Sequence, residues 1–365
     1  MSRRSLLKSC VAVTGTALLP NAVRARQEFD PRPGPWRTYE VVTRVELRRP
    51  TGTTRVWVPL PSMDEPSWVA SLGEHFTGNY SAARVVSDGR YGARMLAAEW
   101  SPGEKSPVLV VASRAAVRDR EVDFARPDLA IGIDTATRRF YTAATELVPT
   151  DGIVRRTAHD VTRGVRSEMA KARAIYEWVV ENTVREPTTR GCGVGDVKAM
   201  LETGNLGGKC ADLNALYVGL ARACGLPARD VYGLRVAPSQ FGYKSLGAGT
   251  SDVTRAQHCR AEVWLDGYGW VPVDPADVRK VMLEEPPGKL AIQDPKVVQV
   301  RRRLFGSWEM NWVPYNVAHD VRLPGSAGVP VGFLMYPQAE SSAGRFDALD
   351  PENFRYTITS RIVPA

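Results

Sequence analysis

The chain has 365 residues, of which 44% are hydrophobic and 24% are charged, and this balance excludes collagen-like, disordered and coiled-coil proteins. Its length suits two domains, with room for a smaller third segment. Half of the net charge of +8 comes from basic residues in the first 25 positions, and the rest is spread without a Lys/Arg block interleaved with aromatics, so the composition does not favour a nucleic-acid partner.

The first 25 residues have the pattern of an export signal. Arg3 and Arg4 are followed by a mildly apolar stretch at residues 10–19 and by small residues around Arg24. These features resemble the twin-arginine export signal, and the apolar stretch is too short to cross about 30 Å of hydrocarbon. The alternative is an N-terminal helix of the folded protein. We interpret residues 1–25 as a removed signal and expect a periplasmic or secreted protein that folds before export.

The remaining sequence lacks the patterns of a membrane span or a metal site. No later segment approaches 18 unbroken apolar residues, so we expect no membrane span in the mature chain. The cysteines after the signal are too few for a disulfide-dense protein and form no C-x-x-C pair, and the histidines form no H-E-x-x-H motif. We therefore expect no metal and no cofactor. The cysteines are Cys192, Cys210, Cys224 and Cys259.

Residues 26–150 have the pattern of a β-domain. The β-prone runs are residues 39–47, 55–58, 108–111 and 117–124. Pro50 and Gly52 provide a turn signal between the first two runs. We expect a β-sandwich-like N-terminal domain, which ends where the pattern changes near residue 150.

The spacing of apolar residues then predicts three helices. The first follows Ser167, a residue type that caps helix N-termini, and ends before Pro187. The second covers residues 196–202 and ends in a glycine-rich segment. The third begins near Cys210 and ends at Gly225, where glycine is the expected stop residue.

The start of the third helix combines the features of a reactive thiol. A cysteine in the first helical turn lies at the positive end of the helix macrodipole, which favours the thiolate. Gly207 and Gly208 precede Cys210 and allow another backbone to approach closely. Cys210 is therefore the candidate nucleophile. The alternative is a half-buried structural thiol.

A β-hairpin downstream carries the candidate base. Two β-prone runs, residues 257–265 and 270–275, flank a glycine-containing turn. A two-residue turn would put His258 and Asp274 on opposite faces of the hairpin, whereas an odd-numbered loop or a bulge would put them on one face. We expect the odd loop, with His258 within hydrogen-bonding reach of Asp274 and with Cys259 pointing the other way.

Cysteine, histidine and aspartate in this order suggest a catalytic triad. Cys210 would attack a carbonyl carbon, His258 would take and return a proton, and Asp274 would orient the imidazole. The backbone N–H of Cys210 is a candidate oxyanion donor, because it lies at a helix start. The candidates for the second donor are Asn205 and Gln257.

Several of these residues have other possible roles. Asp274 could merely cap the turn before Pro275, and Asp277 could take its place beside the histidine. Trp264 and Trp270 could pack the hairpin or bind substrate in a groove. These alternatives stay open at the level of the sequence, because each depends on which side chains meet in space.

A family resemblance rests on segments in a fixed order. They are Gly207-Gly208-Lys209-Cys210-Ala211-Asp212, residues 220–229, residues 258–265, residues 269–275 and the earlier residues 172–179. Together they resemble the bacterial transglutaminase-like (papain-related) superfamily, over roughly residues 165–280. The resemblance implies an α+β core in which a Cys-bearing helix packs on an antiparallel sheet, with Cys210, His258 and Asp274 as the triad. Cys259 departs from the small or aromatic residue that is usual after the histidine, which raises the possibility of redox interference.

The sequence therefore predicts an exported thiol enzyme. Its segments are a signal at residues 1–25, an N-terminal β-domain at 26–150, a catalytic core at 151–285 and a β-rich C-terminal segment at 286–365. We expect a peptidase or amidase that acts on peptide or protein substrates, including cell-envelope peptides, through an acyl-enzyme. A protein-crosslinking transglutaminase is an alternative, as is a catalytically silent cell-envelope binding or scaffold module. A further possibility is thiol exchange between Cys259 and Cys192.

Overall fold

The first third of the chain folds into strands, as its pattern predicts. The computed structural model describes residues 28–364, and the predicted signal at residues 1–25 lies outside them. The strands are β1 (Arg37–Leu47), β2 (Thr54–Pro59), β3 (Val69–Gly78), β4 (Ala82–Ser87), β5 (Arg94–Trp100), β6 (Val108–Val117) and β7 (Arg120–Glu121). The run predicted at residues 117–124 differs, because β6 pairs along its length with β1 and β3 and so continues to Val117.

Helices dominate the middle of the chain. They are α1 (Thr135–Thr142), α2 (Gly152–Val161), α3 (Glu168–Asn182), α4 (Val197–Thr203), α5 (Cys210–Ala223), α6 (Pro275–Glu284), α7 (Pro295–Arg303) and a 3-10 turn (Lys244–Leu246). The strands among them are β8 (Val184–Arg185), β9 (Gly207–Gly208), β10 (Ala228–Arg235), β11 (Gln257–Leu265) and β12 (Gly269–Val273). The three predicted helices are present as α3, α4 and α5. None of the helices between residues 28 and 364 has the length and apolarity needed to cross a bilayer.

The C-terminal segment completes the first domain. Its strands are β13 (Ser307–Trp308), β14 (Trp312–Asn316), β15 (His319–Val321), β16 (Val331–Phe333), β17 (Gln338–Ser341), β18 (Gly344–Arg345) and β19 (Phe354–Val363). The two large antiparallel sheets have the strand orders β19-β1-β6-β3 and β18-β17-β2-β5-β4. Side chains from both sheets, including Val45, Leu96 and Phe354, enclose one apolar core. The first domain is therefore sandwich-like, as predicted, and strands from residues 286–365 belong to it.

A third large antiparallel sheet, outside the sandwich, supports α5. Its strand order is β12-β11-β10-β14. α5 packs against β10 and β11, while α2 and α3 cover its other side. Leu216 and Leu220 of α5 share one core with Ala261 and Val263 of β11. This is the predicted α+β arrangement of a cysteine-bearing helix on an antiparallel sheet.

The hairpin of β11 and β12 has the odd-numbered loop. Ala261 lies opposite Val273 and Leu265 lies opposite Gly269, which leaves residues 266–268 in the loop. Gly269 has a φ of +73°, in the left-handed region that glycine enters without strain. This register brings the start of β11 next to the residue that follows β12, so the histidine and aspartate predicted there lie on one face.

A buried carboxylate joins the sandwich to the hairpin. Glu262 of β11 is fully buried between the guanidinium groups of Arg120, on β7, and Arg229, on β10. Arg229 Nε donates to Glu262 Oε2 at 2.5 Å, and Arg120 also donates to the carbonyl of Trp270. Burial raises the pKa of Glu262, but the charges of Arg229 and Arg120 outweigh it and lower the pKa. The relative position of the two domains thus depends on a paired buried charge.

We expect Glu262→Gln to lower the free energy of unfolding by about 3–5 kcal/mol, because removing one partner leaves the other buried charges uncompensated. Urea unfolding at neutral pH measures this loss. The matched control is Glu99→Gln, which breaks the ion pair between Glu99 and Arg55, a pair that is only partly buried, and costs less than about 1 kcal/mol. Equal losses in the two variants would contradict a bridging role for Glu262.

Candidate active site

The carboxylate of Asp212 holds the start of α5. Its Oδ2 accepts a hydrogen bond from Lys209 N at 2.9 Å, and its Oδ1 accepts from Val194 N and Gly195 N, each at 2.9 Å. Burial raises the pKa of Asp212, although the three N–H donors act in the opposite direction. One side chain therefore caps α5 and ties the preceding loop (residues 191–195) to the helix.

Two glycines are required by this side chain. A Cβ atom at Gly208 would lie 2.6 Å from the Cβ of Asp212, and a Cβ atom at Gly193 would lie 1.8 Å from its Oδ2. Gly193 also has a φ of +94°. Gly208 thus leaves room for the capping side chain, and the β8 backbone also approaches it, since Glu186 N donates a hydrogen bond to Gly208 O at 2.9 Å.

The 191–195 loop lies against the candidate nucleophile. Ala211 N donates a hydrogen bond to Cys192 O at 2.9 Å, and Cys192 N donates to Tyr336 Oη at 2.9 Å. The Cys192 thiol donates to Gln257 O at 3.3 Å. A second cysteine therefore lies beside the start of α5. Nothing local in the sequence indicates this contact.

Asp274 contacts His258 and also caps a helix. Its Oδ2 lies 2.8 Å from His258 Nε2, while its Oδ1 accepts from Asp277 N at 3.0 Å, at the start of α6. Asn214 Nδ2, one turn into α5, also donates to this Oδ1 at 3.3 Å. The two roles that the sequence leaves open for Asp274 are thus both present. Asn214 could have been anticipated, because it lies four residues after Cys210 on the same face of the helix.

A second carboxylate and two arginines surround the imidazole. Asp277 Oδ2 lies 3.4 Å from His258 Nε2, and its Oδ1 accepts from Arg235 at 2.5 Å. Arg260 Nε lies 3.5 Å from Asp274 Oδ2. Burial and Arg235 lower the pKa of His258, but the charges of Asp277 and Asp274 and the hydrogen bond that the imidazole donates to Asp274 outweigh them and raise the pKa to about 9. The imidazolium is therefore the stable form at neutral pH.

The imidazole and the two carboxylates could supply the ligand atoms of a cation site, but the positive charges beside them do not suit a cation. His258, Asp274 and Asp277 offer ligand atoms that all lie within 4.8 Å of one another. Arg235 and Arg260 already neutralise the two carboxylates, and both guanidinium groups are buried. A divalent ion would have to displace or face these fixed positive charges, so the residues fit an imidazolium better than a metal.

Three thiols interact around the start of α5. Hydrogen bonds from Cys192 and Cys259 lower the pKa of Cys210, and His258 adds to this effect through a hydrogen bond and its charge; together they overcome burial and hold the pKa well below its ordinary value. The hydrogen bond with Cys210 raises the pKa of Cys192, and burial raises that of Cys259. Cys210 therefore carries the negative charge. All three cysteines are free thiols.

Cys259 lies on the other face of β11 from His258 but still lies beside the candidate nucleophile. It alternates with His258 along β11, yet it shares a buried cluster with Cys210 and Cys192. Its thiol also contacts the sulfur of Met335 at 3.9 Å. The start of α5 lies against the face of β11 that carries Cys259. His258, at the end of the same strand, also lies close enough to Cys210 to lower the pKa of its thiol.

The candidate oxyanion donors differ in their surroundings. Asn205 is exposed, and its Oδ1 accepts a hydrogen bond from Gly207 N at 3.1 Å. The Gln257 amide donates to Thr254 O at 3.0 Å. These local bonds hold both side chains in place, and only the backbone carbonyl of Gln257 contacts the thiol cluster. The Cys210 N–H lies at the first position of α5, where it points out of the helix.

The two tryptophans lie at the other end of the hairpin. Trp264 and Trp270 face each other across the hairpin, with ring centroids 5.6 Å apart. Trp264 lies six positions further along β11 than His258, which corresponds to about 20 Å of extended strand. Both line a cavity of about 500 Å³ between the sandwich and the hairpin. The structure therefore does not bring them together with Cys210.

The C-terminal segment covers the sulfur. Cys210 is 3% exposed, and its buried cluster includes Met335 and Tyr336, with Leu349 packed against it. Arg190, next to the 191–195 loop, pairs with Asp347 at 2.5 Å. Residues 333–349 therefore contribute to the burial of Cys210. This cover has no signal in the sequence, because it depends on contacts between distant segments.

Comparisons with known proteins agree with this geometry. The family model of the transglutaminase-like superfamily matches residues 155–275. The solved structure of a putative cysteine protease from Cytophaga hutchinsonii has a TM-score of 0.53 at 13% identity, over 90% of this chain and 99% of that chain, which shows a shared fold. A Haemophilus influenzae protein described as an uncharacterized protein is 38% identical over 343 residues, or 88% of this chain and 91% of that protein. The chain belongs to the same family as this relative, and its residues 155–275 form a domain that matches the transglutaminase-like superfamily.

Proposed function

We propose that this chain is an exported thiol enzyme that cleaves amide bonds of peptides through an acyl-enzyme on Cys210. Two observations carry the proposal: His258 lowers the pKa of Cys210 through its charge and a hydrogen bond, and His258 Nε2 lies 2.8 Å from Asp274 Oδ2. The position of Cys210 at the start of α5 adds the field of the helix dipole. The match of residues 155–275 to the transglutaminase-like superfamily supports the same chemistry.

The first half of the reaction forms the acyl-enzyme. The Cys210 thiolate attacks the carbonyl carbon, and the backbone N–H of Cys210 is available to the oxyanion that forms. His258 Nε2 is occupied by Asp274, so Nδ1 is the nitrogen that serves the sulfur and the leaving group. The imidazolium then gives its proton to the departing amine. Asp274 remains ionised and holds the ring in place.

The second half of the reaction regenerates the thiolate. Neutral His258 takes a proton from the acceptor, which attacks the thioester and releases the product. Water at about 55 M is the default acceptor unless the site excludes it. We therefore favour a peptidase or amidase over a protein-crosslinking transglutaminase, which would use an amine at the same step.

Export is part of the proposal. It is supported by the order of Arg3-Arg4, the apolar stretch and the small residues near Arg24. The substrates reached there would be peptides or proteins, including those of the cell envelope.

The burial of Cys210 favours a second candidate, a silent binding module. Only 3% of the residue is exposed beneath Tyr336 and Met335. A Cys210 sulfur that stays covered cannot react with a substrate. In an enzyme, the residues around the sulfur must move enough to admit the substrate. Reactivity of the thiol distinguishes the two candidates.

We expect iodoacetamide to label Cys210 ahead of the other thiols, because the pKa of its thiol is held well below the ordinary value. Mass spectrometry of the labelled mature protein locates the label. Cys210→Ala should lose this label and reduce peptide hydrolysis by about 10³-fold or more. The matched control, Cys224→Ser at the other end of α5, should retain both. Rapid labelling that survives Cys210→Ala contradicts the proposal, and so does a Cys210 that iodoacetamide does not label.

Product analysis with an added primary amine then distinguishes a hydrolase from a transferase.

The charge on His258 predicts a pH dependence that needs no substrate. Anionic iodoacetate is attracted by the imidazolium whereas neutral iodoacetamide is not, so the ratio of their rates should fall as pH rises through about 9. The charge of Asp277 raises the pKa of His258, so Asp277→Asn should move the fall to lower pH, by about 1 pH unit. The control is Asp266→Asn in the hairpin loop. An unchanged midpoint in Asp277→Asn would show that Asp277 does not tune the imidazole.

A further inference from the structure

We propose that Cys192 is a resolving cysteine for Cys210: after a hydroperoxide oxidises Cys210, Cys192 forms a disulfide with it, which reversibly switches the thiol off. The inference rests on the reactive thiolate of the proposed function and adds a modification site to it. It concerns the 191–195 loop, which the acyl-transfer steps do not use. Outside the cytoplasm, where thiols are not kept reduced by cytosolic systems, such a site protects the nucleophile from irreversible oxidation.

The backbone holds the two cysteines near the distance that a disulfide spans. Ala211 N donates to Cys192 O at 2.9 Å, so standard bond lengths keep the α-carbons of Cys192 and Cys210 within about 8 Å of each other. A disulfide spans about 4.4–6.8 Å between α-carbons. Asp212 fixes this arrangement from the other side, because it binds Val194 N and Gly195 N. Closure therefore requires side-chain rotation and little movement of the backbone.

The same reasoning favours Cys192 over Cys259. The Cys259 carbonyl accepts a hydrogen bond from Asn214 Nδ2 at 2.8 Å, and Asn214 lies about 6 Å further along α5 than Cys210. The backbone of Cys259 is thus level with the second turn of the helix, whereas that of Cys192 is level with the first residue. Cys259 is also held within β11 by pairing with β10 and has Met335 against its sulfur.

The oxidation balances in two steps. The Cys210 thiolate attacks a peroxide oxygen: an S–O bond forms, the O–O bond breaks, and the His258 imidazolium protonates the leaving alkoxide or hydroxide. This leaves a sulfenic acid, with sulfur oxidised by two electrons and the peroxide reduced by two. The Cys192 sulfur then attacks the Cys210 sulfur and displaces hydroxide, which becomes water with the thiol proton of Cys192. A dithiol reverses the disulfide by exchange.

The sequence allows the product to be read without ambiguity. Trypsin places the four cysteines that follow the signal in separate peptides, residues 191–198, 210–222, 223–229 and 256–260. We expect hydrogen peroxide to produce a linked peptide of residues 191–198 and 210–222 that lacks two hydrogen atoms, in a non-reducing digest of the full chain. Iodoacetamide labelling of Cys210 and peptide hydrolysis should disappear together and return with dithiothreitol.

Cys192→Ser tests the role of the second thiol. Its serine hydroxyl can still donate a hydrogen bond to Cys210, so Cys210 should still lose reactivity in peroxide, but it should yield no linked peptide and, after prolonged exposure, carry two or three added oxygen atoms. Recovery with dithiothreitol should then be at least about 10-fold lower than in the wild type. Cys259→Ser is the matched control and should retain both the linked peptide and the recovery.

A link between Cys210 and Cys259, or a Cys192→Ser variant that recovers as well as the wild type, overturns the inference. The reduced protein reports separately on the proposed function, through labelling and hydrolysis without peroxide. Loss of the link in a chain that hydrolyses peptides refutes only the switch. A link formed in a chain without turnover refutes only the enzyme.

Discussion

The carboxylate of Asp274 is the point on which the site depends. Its two oxygens serve different elements: one holds His258 at the start of β11, and the other caps α6 and accepts from Asn214 of α5. One buried carboxylate therefore positions β11, the start of α6 and the cysteine-bearing helix α5 relative to one another. Such a group must be fully hydrogen-bonded to be tolerated, so the fold and the orientation of the imidazole are specified together.

The charges around Asp274 set the protonation of the site. Asp277 supplies a second negative charge to the imidazole, while Arg235 and Arg260 compensate the pair of carboxylates. The helix dipole and neighbouring thiols stabilise the opposite charge on Cys210. A thiolate and an imidazolium can therefore coexist in a buried place, because each has its own compensating partners.

Local patterns predicted the parts of the site that are close in sequence. The odd loop at residues 266–268, the helix start at Cys210 and the cap at Ser167 all follow from turn and capping chemistry. Long-range contacts had no such pattern: Cys192 beside Cys210, Tyr336 above it, and the strands that residues 286–365 lend to the first domain. Trp264 and Trp270 were near His258 in sequence, but an extended strand separates them from it.

The pairing of β19 with β1 has a consequence for synthesis. Residues 37–47 leave the ribosome early, yet the strand beside them consists of residues 354–363. The sandwich therefore stays incomplete until residues 354–363 have been synthesised, while the middle of the chain can fold earlier. A polypeptide truncated before residue 354 would leave one edge of β1 without its partner strand.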